Sequence, residues 1–298
     1  MQADLCVFLA GHNLDTYTPL FIETLYKNCD VSNLHIHVVE KGAIVYTGPK
    51  REPHEHPWYI DLPFEYYVPG VGDNVHNYLL RKQAESKVPF TIYEEHNARK
   101  FFTQSVPGEP FWAFGDDHGN TLNWAMENCG KNKWIIFCHS DMIFRGDIIT
   151  SFIDDMHDWV GMFGLYNHCY AVNREAYFKV GIKFNCITNF RAVPVKHQGF
   201  DFEIRHASDP RCPLDESKII YGFDIGEWME IMMIANRWYC NVINPVRREH
   251  HMMTPQEIGL MQHVDHMCSG HGYVNNATLA HQESRRQEWL KQYGVKKV

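Results

Sequence analysis

The chain has 298 residues, room for one large or two modest domains, and its 45% hydrophobic and 21% charged residues are a globular balance that excludes a fibrous or disordered protein. A formal net charge of −8 gives no electrostatic basis for nonspecific binding to nucleic acid, so a nucleic-acid partner is not favoured. Apolar runs of only a few residues, an opening MQADLCVFLAGHN with no basic residue before its apolar core, and nine scattered cysteines without CxxC pairs predict no membrane span, no signal peptide and a soluble, cytoplasmic, reduced setting.

Leu5-Cys6-Val7-Phe8-Leu9-Ala10 is a short buried run that leaves through a tight turn, Gly11-His12-Asn13. From Thr16 to Asn28, Leu20, Phe21 and Leu25 fall at helical spacing, with Asp15 or Thr16 as the cap. Leu34 to Val39 alternates and is rich in branched residues, which predicts a strand ending at Glu40-Lys41-Gly42. Strand, helix, strand in this order predicts a parallel βαβ unit. Periodicity then disappears from Tyr46 to Tyr67 among Pro49, Pro53, Pro57 and Pro63. A helix from Asn74 to Ser86 and a strand from Pro89 to Glu94 follow, then an irregular stretch from Lys100 to Phe114. Gly115-Asp116-Asp117-His118-Gly119-Asn120 reads as a turn before a short helix, Thr121 to Cys129.

Trp134-Ile135-Ile136-Phe137-Cys138 is too short for an ordinary helix and rich in branched and aromatic residues, so it predicts a buried strand. It stops at His139-Ser140-Asp141. Polar residues at the carboxyl end of a buried strand sit where open α/β sheets bind ligands. His139 and Asp141 flank one residue, so in an extended chain they project to the same side and can share an ion. A carboxylate suits Mg²⁺ or Mn²⁺, and an imidazole is compatible with Mn²⁺. The same residues also make an ordinary polar turn.

Asp147 to Trp159 is amphipathic and helical, and Val160 to Tyr170 reads as one strand. Asn173 to Phe178 predicts a helix closed by Gly181. Asn185 to Ile220 is irregular, Asp224 to Ala235 helical, and Trp238 to Ile243 a strand. A His-rich stretch follows Pro245, and Glu283 to Tyr293 is a closing amphipathic helix. Nineteen histidines in the chain are more than average, but the count alone is no metal signal.

Four segments together resemble the GT-A nucleotide-sugar transferases, specifically the family 2 inverting glycosyltransferases. They are the opening strand, Gly11-His12-Asn13, helix and VVEKG; HGNTLNWAMENC before WIIFCHSDMIF; YAVNREAYFKVG; and YGFDIGEWMEIMMIANRW with a His pair and a terminal WLKQYG. The resemblance spans nearly the whole chain. It implies an α/β GT-A (Rossmann-like) fold with a mostly parallel central sheet flanked by helices, as a single domain over 1–298 with insertions near 46–67 and 185–220. It departs from the family pattern at His139, which stands where the Asp-any-Asp motif has its first Asp, so direct ion binding rests mainly on Asp141, and facing the ribose is the alternative role for His139.

The activity so implied is metal-dependent, inverting transfer of a sugar from a nucleotide-diphosphate sugar, UDP-sugar favoured, to the hydroxyl of a glycan or other acceptor. Mn²⁺ or Mg²⁺ is the implied cofactor, held by Asp141, His139 and a late histidine, with His250 and then His251 preferred over His263 and His266. Asp224 matches the catalytic base and also suits a helix N-cap, with Glu227 the alternative base. Donor-binding residues implied are Gly11, Asn13, Glu40 (toward the nucleotide base), Gly119, Asn123, His139 and Ser140. The resemblance sets Asp116 and Asp117 toward the nucleotide, where without it they read as a turn, and Trp228 suits either acceptor stacking or the core. The rival readings are a metal-dependent hydrolase of a sugar nucleotide or phosphoester, and a non-catalytic nucleotide- or sugar-binding module with a degenerate site.

Overall fold

The computed structural model describes residues 1–10, 13–41, 44–47, 65–68, 71–94, 110–165, 168–181, 183–184, 193–197, 200–204, 226–243, 260–266 and 276–298. In chain order these form β1 (Ala3–Leu9), α1 (Leu14–Asn28), β2 (Leu34–Glu40), β3 (Ile44–Thr47), β4 (Glu65–Val68), α2 (Asp73–Glu85) and β5 (Phe90–Tyr93). Next come α3 (Pro110–Asn128), β6 (Trp134–His139), β7 (Met142–Phe144), α4 (Ile148–Asp155), β8 (Val160–Leu165), β9 (Cys169–Asn173) and α5 (Arg174–Val180). The last are β10 (Val193–His197), β11 (Phe200–Ile204), α6 (Glu227–Ala235), β12 (Tyr239–Ile243), β13 (Val264–His266) and α7 (Asn276–Tyr293).

A seven-stranded sheet runs in the order β12-β8-β9-β6-β1-β2-β5. Its strands pair in parallel except β9, which is antiparallel to both β6 and β8. The chain is therefore a mixed α/β protein with the mostly parallel sheet that its sequence predicts.

Period-two alternation sends each strand's side chains to two cores. Leu5, Val7, Trp134, Ile136 and Cys138 pack with Phe21 and Ile22 of α1, Leu79 of α2 and Phe152 of α4. Cys6, Ile135, Phe137 and Val172 pack on the other face with Leu122 and Met126 of α3, Tyr177 of α5 and Met229 and Met233 of α6. Both faces are covered by helices, which is why the strands read as nearly continuous hydrophobic runs. A smaller cluster of Tyr17, Leu20, Ile143 and Trp289 docks α7 against α1 and β7. No helix among the described residues is long and apolar enough to cross a membrane.

Several expectations change. Neither Asp15 nor Thr16 caps α1: the helix starts at Leu14, and Asn13 at φ 59° turns the chain into it, its carbonyl accepting from the Thr16 and Tyr17 amides. Val160 to Tyr170 is two antiparallel strands, because the His168 amide donates to the Leu165 carbonyl and reverses the chain. α3 runs straight through Gly115 to Asn120, so Asp116 and Asp117 lie on a helix rather than in a turn. Residues 148–155 form a shorter helix than Asp147–Trp159, with Asp147 outside it as a cap whose side chain accepts from the Thr150 amide. The two irregular stretches contain paired strands, β3 with β4 and β10 with β11, which short polar alternation hid. β13 was not anticipated; it pairs antiparallel with β7.

Candidate active site

The connections run from β1 outward through β2 to β5, then return to lay β6 on the other side of β1. Such a reversal opens a crevice beyond the carboxyl ends of the two strands that flank it, here β1 and β6. Asn13 follows β1, Glu40 and Lys41 end β2, and His139, Ser140 and Asp141 end β6. Asn13, non-glycine at positive φ, holds the left-handed backbone that the exit from β1 requires.

At the end of β6 the chain turns rather than running on extended, yet His139 and Asp141 still approach: Nδ1 of His139 lies 3.9 Å from Oδ1 of Asp141. Asp141 and Ser140 are buried, and His139 is half-buried. The His139 amide donates to the His168 carbonyl, which ties this corner to the turn between β8 and β9. From α3 the His118 ring comes to 5.3 Å from that of His139 and stands edge-on to Phe8. Behind Asp141, Tyr17 of α1 accepts a hydrogen bond from Arg286 Nη1 of α7 at 3.1 Å. Burial raises the pKa of the Tyr17 hydroxyl, Arg286 pulls it back, and the nearby Asp141 charge raises it again.

On the β2 side, buried Glu40 receives His76 Nδ1 of α2 at 2.8 and 3.0 Å on its two carboxylate oxygens. Gly119 lies in α3, within reach of this end of the sheet. Asn123, one turn on, spends its side-chain carbonyl on the Tyr177 hydroxyl and the Phe184 amide, both at 2.9 Å. It ties α3 to α5 and to the chain beyond it.

Of the late histidines, His263 and His266 bound β13. The His263 carbonyl accepts from the Arg145 and Gly146 amides, and its ring covers Gly146, at the end of β7 away from Asp141. His266 pairs with Met142, the residue after Asp141. Gly11, Asp224, His250 and His251 lie outside the described residues, and Glu227 and Trp228 are described only as helix positions at the start of α6. Spacing gave no hint of His76 or His118. His76 is 36 residues from Glu40 in sequence. His118 adjoins Gly119, and only the continuation of α3 turns it toward His139.

Among the described residues, Asp4, His35 and His37 form a group able to hold a metal ion, their donor atoms all within 4.8 Å of one another. It lies at the other end of the sheet. Phe8 pairs with His139 whereas Asp4 pairs with Ile135, four residues or roughly 13 Å back along the strand. Burial raises the Asp4 carboxyl, but His37, Asn132 and Arg174 together hold it below the usual range. Burial, and then the His37 charge, lowers the pKa of His35.

No protein-family model and no curated protein sequence matches the chain. Among solved structures it is similar to the mannosyltransferase PcManGT from Pyrobaculum calidifontis, in complex with GDP-Man and Mn²⁺, at 10% identity over 98% of this chain and 73% of that one, with a TM-score of 0.42. It is also similar to S. aureus TarS 1–349 in complex with UDP, at 11% identity over 62% of this chain, with a TM-score of 0.35; the chain covers 50% of that protein. A third is the Streptococcus pneumoniae glycosyltransferase GlyE, at 9% identity over 60% of this chain and 36% of that one, with a TM-score of 0.33.

Proposed function

We propose that the chain is a metal-dependent inverting glycosyltransferase, organised as one GT-A domain, that moves a sugar from a nucleotide-diphosphate sugar, UDP-sugar favoured, to an acceptor hydroxyl. The observation that carries the reading is the His139–Asp141 corner at the crevice between β1 and β6. The imidazole nitrogen of His139 and the carboxylate of Asp141, 3.9 Å apart, lie close enough that both residues could contribute to one divalent ion. Asp141 and His139 would hold the ion together with a late histidine, His250 and then His251 preferred over His263 and His266. When bound, the ion supplies Lewis-acid neutralisation of the departing diphosphate.

The chain's own groups do the rest. Glu40 accepts from the nucleotide base, its carboxylate aimed by His76. The Asn13 turn and the backbone at Gly11 and Gly119 approach the donor. Asp224, or failing it Glu227, takes the acceptor's proton while the new C–O bond forms opposite the departing diphosphate and the sugar carbon inverts. Burial of Asp141 keeps water from competing for the site.

A thermal-shift screen of UDP-, GDP-, CDP- and dTDP-sugars with and without Mn²⁺ tests the reading, since a ligand of the folded state raises its stability. One nucleotide should give a metal-dependent shift that Asp141→Ala abolishes. With that donor, Asp224→Asn should keep the shift and lose transfer by about a thousandfold, the scale of several kcal/mol of barrier. Metal-independent shifts, or turnover without an acceptor, would overturn it in favour of a binding module or a hydrolase.

A further inference from the structure

The polar cluster at the amino end of the sheet lies four residues back along the strand from the His139 corner, and each of its members is held by hydrogen bonds. Asp4 of β1 is fully buried. Its Oδ2 accepts from Arg174 Nη2 at 3.1 Å and the Asn132 amide at 3.0 Å. Its Oδ1 accepts from the Asn132 side chain at 2.9 Å and faces His37 Nε2 at 3.1 Å. On the far side of the same ring, His37 Nδ1 lies 3.1 Å from the Tyr93 hydroxyl.

The Tyr93 hydroxyl lies 3.1 Å from both His37 Nδ1 and the Asn128 carbonyl, which fixes the His37 ring from its outer side. The 3.1 Å approach of His37 Nε2 to the Asp4 carboxylate is the geometry either of a hydrogen bond from Nε2–H or of two ligands of one metal ion. Ligands about 2.0 to 2.1 Å from a tetrahedral ion lie about 3.3 Å apart, so the separation suits either.

His35 separates the two. It is the first residue of a His-any-His pair on β2, aligned with Asp4 by the parallel register and stacked 3.9 Å from His37. A hydrogen bond between His37 and Asp4 does not involve a second imidazole. An ion uses it as a third ligand. Thr91 Oγ1 at 2.8 Å from His35 Nε2 fixes that ring, so Nδ1 would be the nitrogen left to bind an ion. Each of the three ligands thus has an outer partner: Arg174 and Asn132 on Asp4, Tyr93 on His37, Thr91 on His35.

We propose that Asp4, His35 and His37 form a second metal site, for a zinc-class divalent ion, with a water as its fourth ligand at the partly open His35 side. Two imidazoles and one carboxylate are a zinc ligand set, softer than the oxygen-rich surroundings expected of a magnesium ion. The ion would pin β1 to β2 at the end of the sheet away from the crevice, a structural role. The inference does not rest on the proposed transfer activity.

The test uses the full chain with Asp141→Ala in the background, so that the crevice contributes no ion. After chelator treatment, D141A should take up about one equivalent more Zn²⁺ than D141A/H35Q, and Co²⁺ should give the visible absorption of a four-coordinate centre only in the former. Thr91→Val keeps all three ligands and frees the His35 ring, so it should weaken Zn²⁺ binding by about tenfold or more. It also provides a readout if D141A/H35Q does not fold. In the otherwise intact chain, His35→Gln should leave transfer unchanged. Equal Zn²⁺ uptake by D141A and D141A/H35Q, or unaltered affinity in T91V, would overturn the proposal and assign the position between His37 and Asp4 to a proton.

Discussion

Burial decides what single residues can do here, and it separates polar groups that are used from those that are not. Thr18 lies inside α1, 1% exposed, and its hydroxyl finds no partner among the described residues. Thr18→Val keeps the shape and removes the stranded group, so urea unfolding should show about 1 kcal/mol of added stability at unchanged slope. Asn123 is the opposite case. Truncating it strands the Tyr177 hydroxyl and the Phe184 amide, so Asn123→Ala should cost about 2 kcal/mol in the same measurement. Cys29 shows burial acting on reactivity: with Asp147 adding to it, burial pushes the thiol up to about 12. At pH 8 that leaves about a thousandfold less thiolate than an ordinary cysteine has, so iodoacetamide should label Cys29 far more slowly in the folded chain than in urea, as read by peptide mass.

At the scale of elements, the reversal from β8 into β9 is the feature that period reading missed, and one glycine makes it possible. Gly164 has φ +125°, and a Cβ there would sit 2.7 Å from the Cys169 carbonyl and 2.8 Å from Tyr170 Cα, both backbone atoms that cannot step aside. Gly181, which ends α5 at φ +70°, has nothing within 4 Å. Gly181→Ala should therefore lose only the left-handed preference, about 1 kcal/mol, whereas Gly164→Ala should lose about 3 kcal/mol or more and loosen the His168–His139 tie. Similar losses in the two would show that the β8–β9 approach is less tight than the distances imply. The short pairs β3–β4 and β10–β11 were illegible for a different reason: four or five residues carry too few alternations to stand out among prolines and charges.

Across the whole molecule, the two ends of the sheet carry two separate polar constellations. The crevice end collects His139, Asp141, Glu40 and His118; the amino end collects Asp4, His35, His37 and Arg174. Hydrophobic layers of the strands lie between them. Sites so separated should act additively. The change in unfolding free energy of Asp141→Ala combined with His35→Gln should equal the sum of the single changes within about 0.5 kcal/mol. A larger coupling would mean that β1 and β2 transmit strain from one end to the other.

Strands β1 and β6 were legible because both faces of each are buried, and a strand so placed is mostly apolar along its length. Trp134 to Cys138 and Leu5 to Leu9 announce themselves for that reason, and so does the break at His139-Ser140-Asp141, where a buried run meets polar residues. The helix capped by Asn173 and closed by Gly181 was equally readable, since capping chemistry is local. What depends on distant partners was not. Nothing near His76 marks it as the partner of Glu40, nothing near Asn123 marks its carbonyl as a strut for Phe184, and His35 and His37 read as ordinary strand residues until the register sets Asp4 beside them. Composition and spacing act over a few residues along the chain, whereas the strand order β9-β6-β1-β2 brings together groups as far apart in sequence as Asp4 and Arg174, and only that packing turns isolated polar residues into sites.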